Sequence, residues 1–169
     1  MPITSTDLKF HLSGGAANSD PNAALGGAIS TTQIVDATVA NLFDNVSSAE
    51  SAAGDTEYRC FYVKNTHATL TLQAAKVYIQ TNTPSADTSA EIGLGTSAVN
   101  GTEQTVANES TAPSGVTFST AAGSGNALSI GNIPAGQHKA IWLKRIVNAA
   151  AAAYNSDSVI IRVEGDTAA

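Results

Sequence analysis

Apolar and polar positions alternate with a period of two through much of this chain, the pattern of strands that expose one face to a core. Leu8, Phe10 and Leu12 alternate with Asp7, Lys9 and His11, which predicts a short strand over 6–12. Over 56–65, Tyr58, Cys60 and Tyr62 fall on one face and Glu57, Arg59, Phe61 and Val63 on the other. Apolar residues on both faces suit a sheet that is covered on one side and contacted on the other. In 68–81, Leu70 and Leu72 share one parity and Val77 and Ile79 the other, across the pair Ala74-Ala75. That break accommodates either a β-bulge or a switch of sheets.

Further strands are expected over 34–43, 91–95, 116–119, 127–130, 137–147 and 158–164. In the last of these, Val159, Ile161 and Val163 point inward. Only brief helix is predicted. Ser47 and Glu50 have capping-box spacing before a Gly54 stop, and Ala149 to Ala153 could form one turn because alanine has the highest helix propensity. Short strands punctuated by Gly, Pro and Asn turns, with no long amphipathic helix to connect parallel strands, indicate an all-β antiparallel β-sandwich. The pattern leaves immunoglobulin-like and jelly-roll forms open, in one domain spanning 1–169. The expected core is Tyr58, Cys60, Phe61, Val63, Leu70, Leu72, Val77, Ile79, Trp142, Leu143, Val159, Ile161 and Val163.

One stretch stands apart from the alternation. Residues 13–30 read SGGAANSDPNAALGGAIS, with two Gly-Gly pairs and an Asp20-Pro21 turn signal. So little apolar content predicts an extended N-terminal arm or long loop within the domain. Its candidate assembly residues are Ser13, Gly14, Gly15, Pro21, Leu25, Gly26, Gly27 and Ile29.

Composition narrows the chemistry. Ala (30), Thr (19), Ser (17) and Gly (14) make up nearly half of the 169 residues, and charged residues only 13%. Such side chains are poor general acids, bases and metal ligands. A net charge of −6, with eight scattered Lys and Arg, disfavours a phosphate-binding surface, so no nucleic-acid partner is expected. No apolar run reaches the ~18 residues of a membrane span. The start carries no secretory pattern, so synthesis in a cytoplasm is expected. A single Cys60 excludes an intrachain disulfide.

The named motifs do not converge on catalysis. His11, His67 and His138 are far apart and lack zinc-ligand spacing. No Gly-x-Ser-x-Gly elbow is present, and neither Gly-Gly pair leads into a phosphate-binding Gly-Lys-Ser/Thr. Asp87, Glu91, Glu103 and Glu109 match no calcium loop. Catalytic, cofactor-binding and metal-ligating residues are therefore each expected to be none, and the protein is expected not to be an enzyme. Trp142, Tyr58, Tyr62, Tyr78 and Tyr154 could line a sugar-binding platform, although aromatic residues on strands more often pack in cores or interfaces.

The stretches SGGAANSDPNAALGGAIS (13–30), AGDTEYRCFYVKNTHATLTL (53–72), VNGTEQTVANESTAPSGVTF (99–118) and IGNIPAGQHKAIWLKR (130–145) resemble virion structural proteins of tailed bacteriophages and prophages. The resemblance covers nearly the whole chain. It implies a capsid decoration, or cement, protein that binds the outer surface of the capsid and reinforces contacts among major capsid protein subunits, self-associating as a homotrimer. The implied location is the virion, on the capsid surface, after synthesis in the host bacterial cytoplasm. A tail or head-to-tail connection component is the alternative place, and a virion-displayed carbohydrate-binding module the alternative activity. As an arm, 13–30 would reach at most about 60 Å when extended.

Overall fold

The computed structural model describes residues 2–167, and they form an antiparallel β-sandwich, as the alternation predicts. The strands are β1 (Leu8–Leu12), β2 (Gly26–Gly27), β3 (Asp55–Asn65), β4 (Leu72–Thr81), β5 (Thr88–Leu94), β6 (Glu103–Thr105), β7 (Leu128–Ile133), β8 (His138–Val147) and β9 (Ile160–Thr167), with one short helix, α1 (Ser48–Ala53). One sheet has the order β1-β3-β8-β5 and the other β7-β4-β9, while β2 and β6 form a separate small pair. The chain passes from one large sheet to the other between β3, β4 and β5, and again between β7, β8 and β9.

The core lies between the two sheets. From the four-stranded sheet come Leu12, Phe61, Val63, Ala90, Ile92, Ile141 and Leu143; from the other come Leu72, Ala75, Val77, Ile79 and Ile133. Register accounts for this set. Leu12 opposes Phe61 and Phe10 opposes Val63, so the apolar side of β1 continues that of β3. Phe10 and Phe61 meet edge to face at 5.5 Å. Val159, Ile161 and Val163 pack against the core from the β9 side, as expected. Tyr58 and Leu70, two others of the expected core, are only half-buried.

The parity break in β4 is a bulge. Pairing with β7 shifts register between Leu72 and Ala75, and Ala74 adopts φ +48°. The bulge turns Leu72, Ala75, Val77 and Ile79 all inward. The displaced Ala74 amide donates to Asn132 Oδ1 at 3.0 Å.

The capping box at α1 forms as its spacing predicts. Glu50 N donates to Ser47 Oγ, Ser47 N donates to Glu50 Oε2, and Gly54 ends the helix at φ +78°.

Three local expectations fail. Residues 34–43 form no strand: beyond the Ile34 amide, which donates to the Phe10 carbonyl, the chain enters turns with Ala37 at φ +58° and Ala40 at φ +55°. Its β-branched residues favour extended backbone, but no neighbouring strand pairs with them. Residues 116–119 contribute only a bridge from Ser119 to Ile92. Ala149 to Ala153 form no helix; the Ala150 and Ala151 amides instead cap the carbonyls of Ala52 and Ser51.

The segment 13–30 is a packed loop and not an extended arm. Ser13, Ala24, Gly26 and Ser30 are buried. Asn18 holds it together: its Nδ2 donates to the Ser13 carbonyl at 2.6 Å, and its own carbonyl accepts from the hydroxyls of Ser30 and Thr32. Apolar content alone is a poor guide here, because small residues allow close approach and backbone hydrogen bonds then supply the cohesion.

Candidate functional site

The outer face of the four-stranded sheet is covered by two loops. Tyr58, Cys60 and Tyr62 on β3 and Ala140 and Trp142 on β8 form a second apolar cluster, closed over by Ile29, Val106, Val116 and Phe118. Trp142 is fully buried there. The cover must lie directly on the sheet, and glycine permits it. A Cβ on Gly93, which pairs with Trp142, would come within 2.5 Å of Val116 Cγ1.

Tyr62 anchors the cover. Its hydroxyl donates to the Gly27 carbonyl at 2.6 Å and accepts from the Glu103 amide at 3.0 Å, so one side chain holds both members of the β2–β6 pair. Burial pushes the Tyr62 hydroxyl up to about 12. At Gly26, φ is +95° and a Cβ would stand 1.8 Å from the Gln104 carbonyl oxygen, which leaves glycine as the only residue that fits. Burial opposes ionisation of Glu103, but the Ser97 amide and the Thr96 hydroxyl outweigh it and hold the carboxyl at about 2.

At one end of the sandwich a charged group closes the core. Arg59, fully buried, pairs with Glu109, and Arg145 pairs with buried Glu57 and with Asp44. Both guanidiniums lie over the Phe43 ring, Arg59 at 5.4 Å and Arg145 at 4.8 Å from its centroid. Burial raises the Glu57 carboxyl, with Arg145 opposing the shift. This network has the form of a structural plug, since each ion pair joins chain segments distant in sequence.

The candidate contact surface lies next to this plug. Among the described residues the exposed large aliphatic and aromatic side chains are Val35, Val39, Val46, Tyr154 and Ile160, and three of these five belong to 35–46. Val39 is 80% exposed. With Leu12, Pro21, Ile34 and Asn41, Val35 and Val39 line a shallow depression of about 190 Å³. Of the eight residues expected to form an assembly arm, Pro21 alone borders this depression. Gly26 and Gly27 pair with β6, Ser13 Oγ accepts from the Gly26 amide, and Ile29 packs on the outer face. Gly14 is exposed, while Gly15 and Leu25 are half-buried.

The remaining titratable residues do not assemble around this depression. His11 Nδ1 meets the Ser30 carbonyl at 3.1 Å, and His138 packs edge-on against Tyr62. Cys60 is fully buried, and burial raises its thiol far above the usual range, which makes it a poor nucleophile. Of the five rings named for a sugar platform, Trp142, Tyr62 and Tyr78 are buried, Tyr58 is half-buried and Tyr154 is exposed. Aligned exposed rings are thus missing from that set.

Two features escaped the sequence reading. Val35 and Val39 were hidden because β-branched residues read as strand, although Asp36-Ala37 between them supplies a turn. The carboxylates Glu50, Asp55 and Glu57 converge with oxygens within 4.8 Å of one another, whereas the capping box accounted for Glu50 alone. Three carboxylates within eight residues were the available signal. Among the described residues no helix is long and apolar enough to cross a membrane. Comparison with protein families, with curated proteins and with solved structures found no match.

Proposed function

We propose that this protein is a structural component of a tailed-bacteriophage virion, bound to the outer surface of the capsid and reinforcing contacts among major capsid protein subunits. The observation that carries this reading is the concentration of exposed aliphatic side chains, Val35, Val39 and Val46, on one irregular segment of a tightly packed sandwich. A shallow apolar depression suits burial against another protein better than it suits a substrate, since ligand sites are commonly deep clefts of ~300–1,000 Å³. The resemblance to virion proteins supplies the partner class. Self-association as a homotrimer and a non-enzymatic role belong to the same proposal.

In this reading the folded loop 13–30 stiffens the contact surface from behind, with Pro21 at its border. Binding then orders few new residues, which keeps the entropic cost of association low. The test is co-sedimentation of the purified protein with capsids that lack it, followed by cryo-electron microscopy of the decorated particles. Density at capsid symmetry axes, with binding weakened at least roughly tenfold by Val35→Asp plus Val39→Asp, is expected. Density confined to the tail or neck would transfer the protein to the alternative place, and unchanged binding by the double variant would remove 35–46 from the interface.

A further inference from the structure

We propose that Lys9, Lys64 and His138, with His11 beside them, form a docking site for a carboxylate-bearing segment of a protein partner; this rests on the reading above, in which that partner is the capsid. Strand register brings the four residues together. Lys9 of β1 lies opposite Lys64 of β3, and Lys64 lies opposite His138 of β8, so three basic residues form one row across adjacent strands. His11 stands in the neighbouring row, opposite Tyr62. Directly opposed residues share a face of the sheet. Tyr62 fixes which face, because its hydroxyl reaches the Gly27 carbonyl of the outer cover and its ring packs edge to face with His138 at 4.9 Å. The row is half-buried at the margin of that cover, where His11 Nδ1 meets the Ser30 carbonyl and the Asn100 amide donates to the His138 carbonyl at 2.7 Å.

The second observation is energetic. Like charges directly opposite each other on antiparallel strands are destabilising, and nothing within the chain relieves this pair. The chain has 14 Asp and Glu against 8 Lys and Arg, so carboxylates are plentiful. Arg59, Lys76, Lys144 and Arg145 are ion-paired, and Lys139 donates to the Gly95 and Ser97 carbonyls. Among the described residues Lys9 and Lys64 make neither an ion pair nor a side-chain hydrogen bond. Asp7, two residues before Lys9, gives its Oδ2 to the Thr4 amide and hydroxyl, and Glu103 in the cover is held by Thr96 and Ser97. A feature that costs folding stability and has no partner inside the chain has the mark of a site kept for an external one.

The chemistry of the row selects the kind of partner. Burial holds His11 and His138 below their usual range, so at neutral pH the two lysines carry the charge. Two adjacent ammonium groups match a pair of carboxylates through charge-assisted hydrogen bonds. A nucleic-acid backbone is held by many more cationic contacts than this row offers. The row also adjoins the apolar depression along β1. Leu12 and Gln33 line that depression, and Gln33 bridges to His11. A partner that places apolar side chains on Val35 and Val39 and acidic ones on Lys9 and Lys64 would use both.

The experiment is an NMR titration of the intact, isotope-labelled protein with a hexaglutamate peptide, with inorganic phosphate and a hexathymidylate strand as comparison probes. Saturable amide shifts confined to 8–12, 60–66 and 138–140 are expected with the peptide. Lys9→Glu should weaken this binding at least roughly tenfold, because it sets like charges against each other. The same substitution should raise the melting temperature of the isolated chain by about 1–4 °C, since an opposite-charge cross-strand pair replaces a like-charge one. A structural role for Lys9 would lower it instead. Absence of saturable shifts, shifts centred elsewhere, unchanged binding by Lys9→Glu, a lowered melting temperature, or tighter binding of phosphate or the strand than of the peptide would each overturn the site. Capsid co-sedimentation separates this inference from the reading it rests on. Lys9→Glu should bind capsids at least roughly tenfold more weakly than the native chain. Equal binding would overturn the site alone, whereas a native chain that does not bind capsids would overturn that reading and the named partner with it.

Discussion

Residues 13–30 and 34–46 are adjacent in sequence and opposite in fate. The first is rich in Gly, Ala, Ser and Asn, yet it is pinned by Asn18 and Tyr62 and buries Ser13, Ala24, Gly26 and Ser30. The second is richer in branched aliphatics, yet it exposes Val35, Val39 and Val46. Leu42, in the same segment, is buried. Burial here follows the backbone's access to partners more than side-chain hydrophobicity. A loop without bulky side chains can lie flat on a sheet and exchange hydrogen bonds with it, while a segment turning at Ala37 and Ala40 cannot pair as a strand.

The contrast can be broken most severely at Gly26. Gly26→Val should prevent β2 from docking on β6 and leave most of the protein unfolded at 25 °C, as read by circular dichroism and denaturant melts. A folded, near-native variant would mean that 13–30 is dispensable cover. Trp142→Ala, beneath that cover, should destabilise by about 3–5 kcal/mol in urea unfolding, because it empties a fully enclosed site; a change below about 1 kcal/mol would contradict its burial.

Removing only the Tyr62 hydroxyl tests the anchor itself. Tyr62→Phe should lose roughly 2 kcal/mol, since the Gly27 carbonyl and Glu103 amide both lose their partner. Acid should weaken the same cover as well. The Glu103 carboxyl titrates at about 2 in the folded chain against 4.5 ordinarily, so its stabilisation is complete above pH 4.5 and disappears as pH falls towards 2. Glu103→Gln should flatten the stability profile across that window, and an unchanged acid slope would assign it to other carboxylates.

The smallest stability effect is expected in the exposed segment. Val35→Ser and Val39→Ser should each change unfolding free energy by no more than about 0.5 kcal/mol. A loss above about 1.5 kcal/mol in the isolated chain would show that 34–46 is held by packing after all, and would erase the contrast with 13–30.

Much of the sandwich was legible because strand alternation is a local property with a direct physical cause. The faces of β1, β3 and β9, the burial of Trp142, the capping box at Ser47 and Glu50 and the disturbance at Ala74-Ala75 all follow from residues close in sequence. The candidate surface was not legible in the same way. Val35 and Val39 have the side chains of a strand, and only the missing partner strand shows that they face outward. The carboxylate cluster was equally hidden, since Glu50 on α1 and Glu57 on β3 meet only after Gly54 turns the chain.

By itself the sequence determined an all-β antiparallel domain, its principal core strands and a chemistry poor in reactive side chains, since period-two patterning and composition need no long-range information. Tertiary structure alone decided that the glycine-rich loop covers the outer face, that the bulge keeps β4 in one sheet and that Val35 and Val39 remain exposed. Each of these depends on whether a backbone group or side chain finds a partner tens of residues away. Tyr62 with Gly27 and Glu103, and Ala74 with Asn132, are partners of that kind, brought together only by the folded chain.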